Sequence, residues 1–176
     1  LPEGNHKIDQ LKYLYHGNIG YIFPNEGSVH VSNKTETGRW SDITDQKNAS
    51  TKVVSKEVLK VWFEHGVKPK NGSYAYMVFP SISENELKTI YEAGTPYEIL
   101  SNTKDLQAVK NKDENVVQAV FYQSGNLSLE KKLDLQMENA GIIMLKLKRG
   151  KVESFSISDP TRKLTELRFT LEGLYS

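Results

Sequence analysis

Residues 132–157 read KLDLQMENAGIIMLKLKRGKVESFSI and contain three candidate β-strands joined by two turns. In the first strand, 132–137, apolar and polar residues alternate, so that one face is apolar and the other polar. A turn leads into the second strand, 142–148, and Arg149-Gly150 turns the chain into the third, 152–157. Short strands that return on themselves in this way predict a small antiparallel β-sandwich.

The rest of the chain carries the same signal, short runs rich in β-branched and aromatic residues that turn residues separate. Further strands are predicted at residues 18–23, 28–32, 58–63, 73–79, 97–100, 106–110, 116–122 and 164–171. The first two are joined by a turn at 24–27, where Pro24 presets the backbone angle. Residues 73–79 have no polar face, so we expect this strand to be buried between two layers.

One helix is predicted in the middle of the chain. Ser83 is a good N-cap, Glu86 three residues later completes a capping box, and Gly94 ends the helix. The composition changes just after this glycine, where a proline follows and the strand pattern resumes with shorter spacing. We therefore predict an all-β chain of two domains, 1–95 and 96–176, with one short helix between them.

Composition excludes several classes of function. The 176 residues carry a net charge of +1 with acids and bases interspersed, which argues against a dedicated nucleic-acid surface. The sequence has no cysteine, which excludes disulfides, thiol catalysis and cysteine-ligated zinc. No run of residues approaches the ~20 apolar positions of a membrane span. The chain starts at Leu1 without a signal stretch, so we expect it to be part of a longer protein whose preceding region holds the chemistry.

Several stretches resemble polysaccharide lyase family eight, the chondroitin AC and ABC, hyaluronate and xanthan lyases, and they occur in the family's order. In the first domain they are HGNIGYIFP at 16–24, TGRWSDI at 37–43, WFEHG at 62–66, PKNGSYAY at 69–76 and FP at 79–80. In the second they are ILSNT at 99–103, QAV at 107–109 and SDPT at 158–161. Each stretch is short, and their common order along nearly the whole chain makes the resemblance specific.

The resemblance implies a fold and an activity. Family members have an N-terminal α/α toroid, a central super-sandwich of antiparallel sheets and a small C-terminal β-domain. Residues 1–95 would then be the end of the super-sandwich, and 96–176 the small C-terminal β-sandwich. Members cleave uronic-acid-containing polysaccharides by β-elimination: a base removes the proton α to the carboxyl group, and an acid protonates the leaving oxygen. The resemblance also implies a secreted or periplasmic bacterial enzyme.

The same resemblance assigns the catalytic residues to another region. In the family they are Asn, His, Tyr and Arg of the toroid, assisted by a Glu at the start of the β-region, and none of these motifs has a counterpart in this sequence. We therefore assign no catalytic residue, no metal ligand and no cofactor to the chain. Its expected partners are the toroid of the same protein and an acidic polysaccharide, chondroitin sulfate or hyaluronan.

Arg39 and Trp40 are the candidate substrate-binding residues. They lie in a polar stretch, 33–50, which is predicted to be a long loop, and loops of that length are often functional. A flat indole can stack on a sugar ring, and a guanidinium can pair with a sulfate or carboxylate. The alternative is that Trp40 packs back onto the sandwich and anchors the loop, which is the commoner fate of a lone tryptophan.

The histidines are interpreted as structural. Adjacent strand residues point to opposite faces, so Glu64 and His65 should diverge rather than form an acid–base pair. His16 and His30 flank a hairpin but have no carboxylate at recognisable ligand spacing, and a metal site needs three or four convergent ligands.

Two further groups are open to a functional or a structural interpretation. Tyr74 and Tyr76 share one strand face and could form an aromatic sugar platform, but the apolar strand 58–63 beside them favours core packing. A basic cluster could attract a polyanionic glycan, although a solvated hairpin tip diluted by nearby acids is the commoner explanation. This cluster consists of Lys146, Lys148, Arg149 and Lys151.

Two functions from different classes fit the sequence. The first is a non-catalytic β-region of a polysaccharide lyase that supports the toroid and helps to wall the substrate cleft. The second is a free-standing carbohydrate-binding or adhesion module of two β-sandwiches, since such folds host many functions. Exposed apolar surface would favour the first, and glycan binding by the chain alone would favour the second.

Overall fold

The chain folds almost entirely as antiparallel β-sheet, which confirms the predicted all-β class. In a computed structural model, residues 1–24, 27–130 and 133–173 are described. Within those ranges there are fourteen strands and one α-helix. No helix in this described part of the chain is long and apolar enough to cross a membrane. The chain divides into two compact units, Leu1–Tyr91 and Glu92–Ser176.

The first unit contains six strands and the body of the helix. They are β1 Asn5–Asp9, β2 Tyr13–His16, β3 Ile19–Ile22, β4 Ser28–Gly38, β5 Val54–Phe63, β6 Met77–Pro80 and α1 Glu84–Glu92. One sheet has the order β1-β4-β5 and the other the order β2-β3-β6. Every pair in these sheets is antiparallel. A short 3-10 turn, Trp40–Asp42, lies between β4 and β5.

Residues from both sheets form the core of the first unit. Phe23, Val29 and Val31 are buried at its centre. Half-buried side chains from the neighbouring strands and turns pack against them: Ile8, Leu11, Leu14, Tyr21, Leu59, Val61 and Phe63. The apolar residues of β4 therefore fix one face of the β1-β4-β5 sheet against the interior.

The predicted helix is confirmed, and its capping box forms. The Ser83 hydroxyl and N–H donate to the Glu86 carboxylate at 2.7 and 2.8 Å, and together they lower the pKa of that carboxyl group. The Glu86 N–H donates back to the Ser83 hydroxyl at 3.3 Å. Leu87 is fully buried against Gly20, where an added Cβ would lie 2.5 Å from a Leu87 methyl carbon. Gly94 follows the helix in the left-handed conformation, at φ +80°.

The second unit is a two-sheet sandwich. Its strands are β7 Tyr97–Asn102, β8 Leu106–Asn111, β9 Val116–Phe121, β10 Gly125–Glu130, β11 Leu133–Met137, β12 Gly141–Lys148, β13 Lys151–Ser158 and β14 Phe169–Gly173. A five-stranded sheet has the order β13-β12-β9-β8-β7, and a three-stranded sheet has the order β10-β11-β14. The sheets share one core, in which Leu135 and Leu145 are fully buried. The alternation on β11 is confirmed, because Leu133, Leu135 and Met137 all face inward.

The predicted loop at 33–50 is wrong in its first third. β4 continues to Gly38 and stays in register with β5, which begins at Val54. The side chains of this extension are polar on both faces, and each of residues 33–38 is half-buried or exposed. The alternation that marks a half-buried strand is therefore missing from the sequence.

The expected burial of residues 73–79 is also wrong. The strand covers only Met77–Pro80, and the side chains of Tyr74 and Tyr76 are 56% and 52% exposed. Their rings pack on each other and on Phe63 instead of between two layers. An apolar run predicts that side chains pack against other apolar groups. It does not predict whether they are buried between two layers or packed on one side and exposed on the other.

The remaining differences between the predicted and observed strands are shifted bounds or strands that were not predicted. The strand predicted at 164–171 is β14, Phe169–Gly173, and β1, β2 and β10 were not predicted. These three are short or polar, so periodicity hardly distinguishes them from loops. Asn25 and Glu26 of the predicted 24–27 turn, and Lys132 at the start of the 132–137 strand, lie outside the described residues.

Asp159 organises the segment that leads from β13 towards β14. One carboxylate oxygen accepts the hydroxyl and N–H of Thr161 at 2.7 and 2.8 Å. The other accepts the N–H groups of Lys163 and Leu164 at 2.8 and 2.9 Å. These donors, led by the Thr161 hydroxyl, hold the pKa of Asp159 well below its usual range.

The buried face of β12 predicts that substitutions at two adjacent residues, Leu145 and Met144, differ in their effect on stability. Leu145 is fully buried, whereas Met144 beside it is 44% exposed on the opposite face. Leu145→Ala should lower the free energy of unfolding by about 2–5 kcal/mol, because a cavity replaces well-packed methyl groups. Met144→Ala should lower it by less than about 1 kcal/mol. Urea denaturation measures both, and equal losses would contradict the assigned inward face.

Asp159 predicts a pH-dependent stability. A carboxyl group whose pKa is lower in the folded protein stabilises the fold above its unfolded pKa, and this stabilisation disappears as the pH falls towards the folded value. Asp159→Asn should therefore lower the melting temperature at neutral pH, and the gap to the wild type should narrow below about pH 4. Asp113→Asn, which removes the same charge from an exposed turn, is the control in the same circular-dichroism melts. A gap that is constant down to acidic pH would contradict the proposed role of the carboxylate.

Candidate functional site

A two-stranded ribbon carries the candidate residues Arg39 and Trp40. β1 pairs with β4 only up to Ser32, whereas β5 pairs with β4 up to Gly38. In the described structure, residues 34–38 and 54–58, here called the ribbon, therefore pair only with each other. Five residues of antiparallel strand extend about 17 Å. The ribbon thus carries the 39–53 segment, here called the tip, away from the three-stranded part of its sheet.

A cross-strand ion pair stabilises the base of the ribbon. The Lys60 ammonium lies 2.6 Å from a carboxylate oxygen of Glu36. This hydrogen bond, with the charge attraction, lowers the pKa of Glu36. Both side chains are about half exposed, so the contribution to stability is small. Charged side chains on such a ribbon also discourage pairing with other chains.

Backbone hydrogen bonds shape the tip around Trp40. The Asp42 carboxylate accepts the Arg39 N–H at 3.2 Å, and the Asp42 N–H donates to the Arg39 carbonyl at 3.1 Å. The Ser41 N–H donates to the Ser50 carbonyl at 3.2 Å, which ties the 3-10 turn to the far side of the tip. The two candidate residues therefore start a fixed turn rather than an open loop.

Both candidate side chains face solvent. Arg39 is exposed and Trp40 is 61% exposed, so the indole is not buried against the sandwich as the anchoring alternative requires. The side chains of Ile43 and Val53 are also exposed, at 75% and 52%. An exposed indole next to a guanidinium offers a stacking face and a bidentate anion partner. The tip can therefore contact both an apolar surface and an acidic ligand.

His30 and His65 have structural partners. Glu64 lies 3.1 Å from the His30 ring nitrogen Nε2, and the His30 ring stacks on Trp62 with centroids 5.2 Å apart. His65 instead lies against Gly72 and near Tyr74. Among the described residues, no group of three or more His, Asp or Glu side chains is placed to hold a metal ion. The structure therefore does not bring Glu64 and His65 together as an acid–base pair.

The basic cluster is partly neutralised. Lys146 donates to the Glu114 carbonyl at 2.6 Å and lies 3.4 Å from its carboxylate. Lys148 lies 2.7 Å from a Glu153 carboxylate oxygen, and this bond raises the pKa of the lysine and lowers that of the glutamate. These contacts fit the interpretation as a solvated hairpin tip with neighbouring acids.

Sequence reasoning considered Tyr74 and Tyr76 as a sugar platform and favoured core packing instead, but in the structure they form a cluster with half-buried Phe63 and exposed His65. The pattern predicted core packing for the tyrosines, and the structure leaves both more than half exposed. The available signal was the polar, glycine-containing PKNGS stretch before them, which is typical of a surface loop rather than of a buried strand.

Two family models match the chain, one in each unit. "Polysaccharide lyase family 8, super-sandwich domain" matches residues 1–91. "Polysaccharide lyase family 8, C-terminal beta-sandwich domain" matches residues 98–168. The two matches follow in the order that the resemblance predicted.

Curated relatives are polysaccharide lyases of bacteria. The chain is 34% identical over 165 residues to chondroitinase-AC of Pedobacter heparinus, covering 91% of this chain and 23% of the relative. It is 30% identical to hyaluronate lyase HylB of Enterococcus faecalis, covering 90% of this chain and 15% of the relative. It is 27% identical to xanthan lyase of a Bacillus species, covering 82% and 15%. The chain thus spans a quarter or less of the length of these relatives.

Two solved structures have a fold similar to that of this chain. A chondroitinase AC lyase whose active site was studied in oligosaccharide complexes matches with a TM-score of 0.77 and 28% identity, over 99% of this chain and 27% of that chain. A chondroitin AC lyase of Streptomyces coelicolor A3 in complex with chondroitin sulphate matches with a TM-score of 0.68 and 22% identity, over 90% and 22%. The second match is a likeness of fold alone.

Proposed function

Because the chain belongs to polysaccharide lyase family 8, we propose that it is the non-catalytic C-terminal β-region of a secreted bacterial lyase that cleaves glycosaminoglycans by β-elimination. The observation that carries this proposal is the match of both β-domain models, in order, over residues 1–91 and 98–168. The proposed substrates are uronic-acid-containing chains such as chondroitin sulfate or hyaluronan. We place the domain boundary near residue 95, between the two matched ranges.

We assign the proton-transfer chemistry to a helical toroid of the same protein. β-Elimination needs a base beside the proton α to the carboxyl group, a donor for the developing negative charge and an acid for the leaving oxygen. In support of this assignment, the described residues include one helix of nine residues, whereas a toroid is built of many helices, and no group of three or more His, Asp or Glu side chains among them is placed to hold a metal ion. In the proposal, the chain therefore supports the toroid and shapes the substrate cleft without transferring protons.

The tip is the proposed contact with both partners. Exposed aliphatic side chains, Ile43 and Val53, suit a packed contact with another domain of the protein. Arg39 and Trp40 suit the glycan, because a guanidinium binds a carboxylate or sulfate and an indole covers the apolar face of a sugar ring. Such a contact would hold the acidic chain in the cleft and leave the reaction to the toroid.

The alternative of a free-standing carbohydrate-binding module fits the apolar exposure less well. A monomeric domain rarely exposes several large apolar side chains in one short segment. At the tip, Ile43 and Val53, which the proposed glycan contact does not use, are 75% and 52% exposed. This favours a region that contacts another part of a larger protein.

The proposal predicts that the purified chain is inactive as a lyase. Incubation with chondroitin sulfate or hyaluronan should release no unsaturated, ultraviolet-absorbing uronate product. An authentic chondroitin AC lyase on the same substrates serves as the positive control. Measurable elimination that persists through purification would contradict the assignment of the catalytic groups to the toroid.

Arg39 and Trp40 predict a salt-dependent glycan contact. Calorimetric titration with chondroitin sulfate at low salt should show saturable binding that weakens at physiological salt, because the charge contact is exposed. Trp40→Ala should weaken this binding about tenfold, the loss of one stacking contact of roughly 1.4 kcal/mol. Tyr122→Ala, which removes another ring that is 55% exposed, is the matched control and should have no effect. Equal affinities for the wild type and Trp40→Ala would remove the tip from the binding site.

A further inference from the structure

The cluster of Phe63, His65, Tyr74 and Tyr76, here called the aromatic cluster, is spread over an area of surface. The ring centroids of Phe63 and Tyr74 are 5.4 Å apart, and each of the other two pairs among Phe63, Tyr74 and Tyr76 is separated by 6.4 Å. In a single stacked column, one distance would be close to the sum of the other two. These three are nearly equal, and the ring planes differ by only 16–36°. The three centroids therefore form a triangle, here called the patch, in which Tyr74 and Tyr76 remain more than half exposed.

The patch is held in place by the packing of Phe63 against the core of the first unit. Phe63 ends β5 and packs edge-to-face on buried Phe23, with centroids 5.9 Å apart. Tyr74 lies over Phe63 at an angle of 25°. Ring pairs of this kind stabilise beyond the area that they bury, so the tyrosines are positioned without being covered.

The preceding loop is built to bring the tyrosines back onto β5. Gly66, Lys68 and Asn71 all adopt positive φ, at 72°, 51° and 58°. A Cβ added at Gly72 would lie 3.2 Å from the His65 ring, so this glycine lets the loop close on the imidazole. Glycine and asparagine accept positive φ readily, whereas a lysine seldom adopts it, so the path of this loop is specified at Lys68 above all.

The charge around the patch suits an acidic ligand. Lys68 and Lys70 are exposed in the loop beside it, and His65 adds a third nitrogen donor. The one acid of the same stretch, Glu64, is 3.1 Å from His30 and so has a basic partner of its own. Exposed rings beside cationic side chains match a ligand with apolar C–H faces and negative groups, which describes the pyranose rings of an acidic polysaccharide.

We propose that the aromatic cluster is a second glycan-binding surface, which takes a pyranose ring of an acidic polysaccharide on Tyr74 and Tyr76. It is separate from Arg39 and Trp40 along the same hairpin, at the opposite end of β5. The inference rests on the proposed function for the nature of the ligand. Its residues differ from those of the tip, so the two contacts can be tested independently.

The experiment is a titration of the whole chain, with its aromatic side chains labelled for NMR, with a size-defined unsulfated chondroitin oligosaccharide. The Tyr74 and Tyr76 ring signals should shift with one saturable isotherm. The double variant Tyr74→Ala/Tyr76→Ala should weaken that binding about five- to tenfold, whereas Tyr74→Phe/Tyr76→Phe keeps the rings and should bind within about twofold of the wild type. Tyr122→Ala is the control for the loss of an exposed ring elsewhere, and far-ultraviolet circular dichroism checks that each variant folds.

The outcomes separate this inference from the proposed function. Shifts at Trp40 without shifts at Tyr74 and Tyr76 overturn the second surface and leave the tip contact standing. Shifts at the tyrosines alone support the inference and exclude the tip as a glycan contact. No shift at any of the three rings overturns both glycan contacts. If the double Ala variant changes only the oligomeric state seen by light scattering, the aromatic cluster is a protein contact and the inference fails.

Discussion

Ten residue pairs between β4 and β5, from Val29–Phe63 to Gly38–Val54, fix the positions of both candidate sites. The tip continues from one end of this pairing, and the aromatic cluster is built on Phe63 at the other. The register is set where Val29 and Val31 are buried in the core, since a slip of one residue would turn them to solvent. The ribbon has no buried residues of its own. Its register, and so the direction of its side chains, is set by the buried residues at the other end of the hairpin.

The parts of the fold that could be predicted are those in which one face is buried. Leu133, Leu135 and Met137 alternate with polar residues because only one face of β11 meets the core, and this pattern is visible in the sequence. The capping box of α1 was predictable for a different reason, since Ser83 and Glu86 satisfy each other within four residues. Both signals are local or periodic, so no knowledge of distant neighbours is needed.

The parts that failed depend on neighbours that the sequence does not specify. Residues 34–38 are strand only because 54–58 lie beside them, and their polar composition is that of a loop. Tyr74 and Tyr76 have the composition of core residues, yet a ring packed on Phe63 can still expose half of its surface. Arg39 and Trp40 could be singled out by residue type, whereas the turn that presents them is visible only in the structure.

The distance along the hairpin between the two proposed contacts is one that a single polysaccharide chain could span. Phe63 and the start of the tip are separated by about nine residue steps, or about 30 Å of antiparallel strand. A polysaccharide long enough to reach both would bind the second contact as an intramolecular event, at an effective concentration set by its own stiffness. Two exposed contacts, each weak because solvent and salt compete for it, can then hold a polymer that short oligosaccharides would leave readily. Such selection by length needs no proton-transfer group in the β-region, which is the division of labour that we propose for this chain and the toroid.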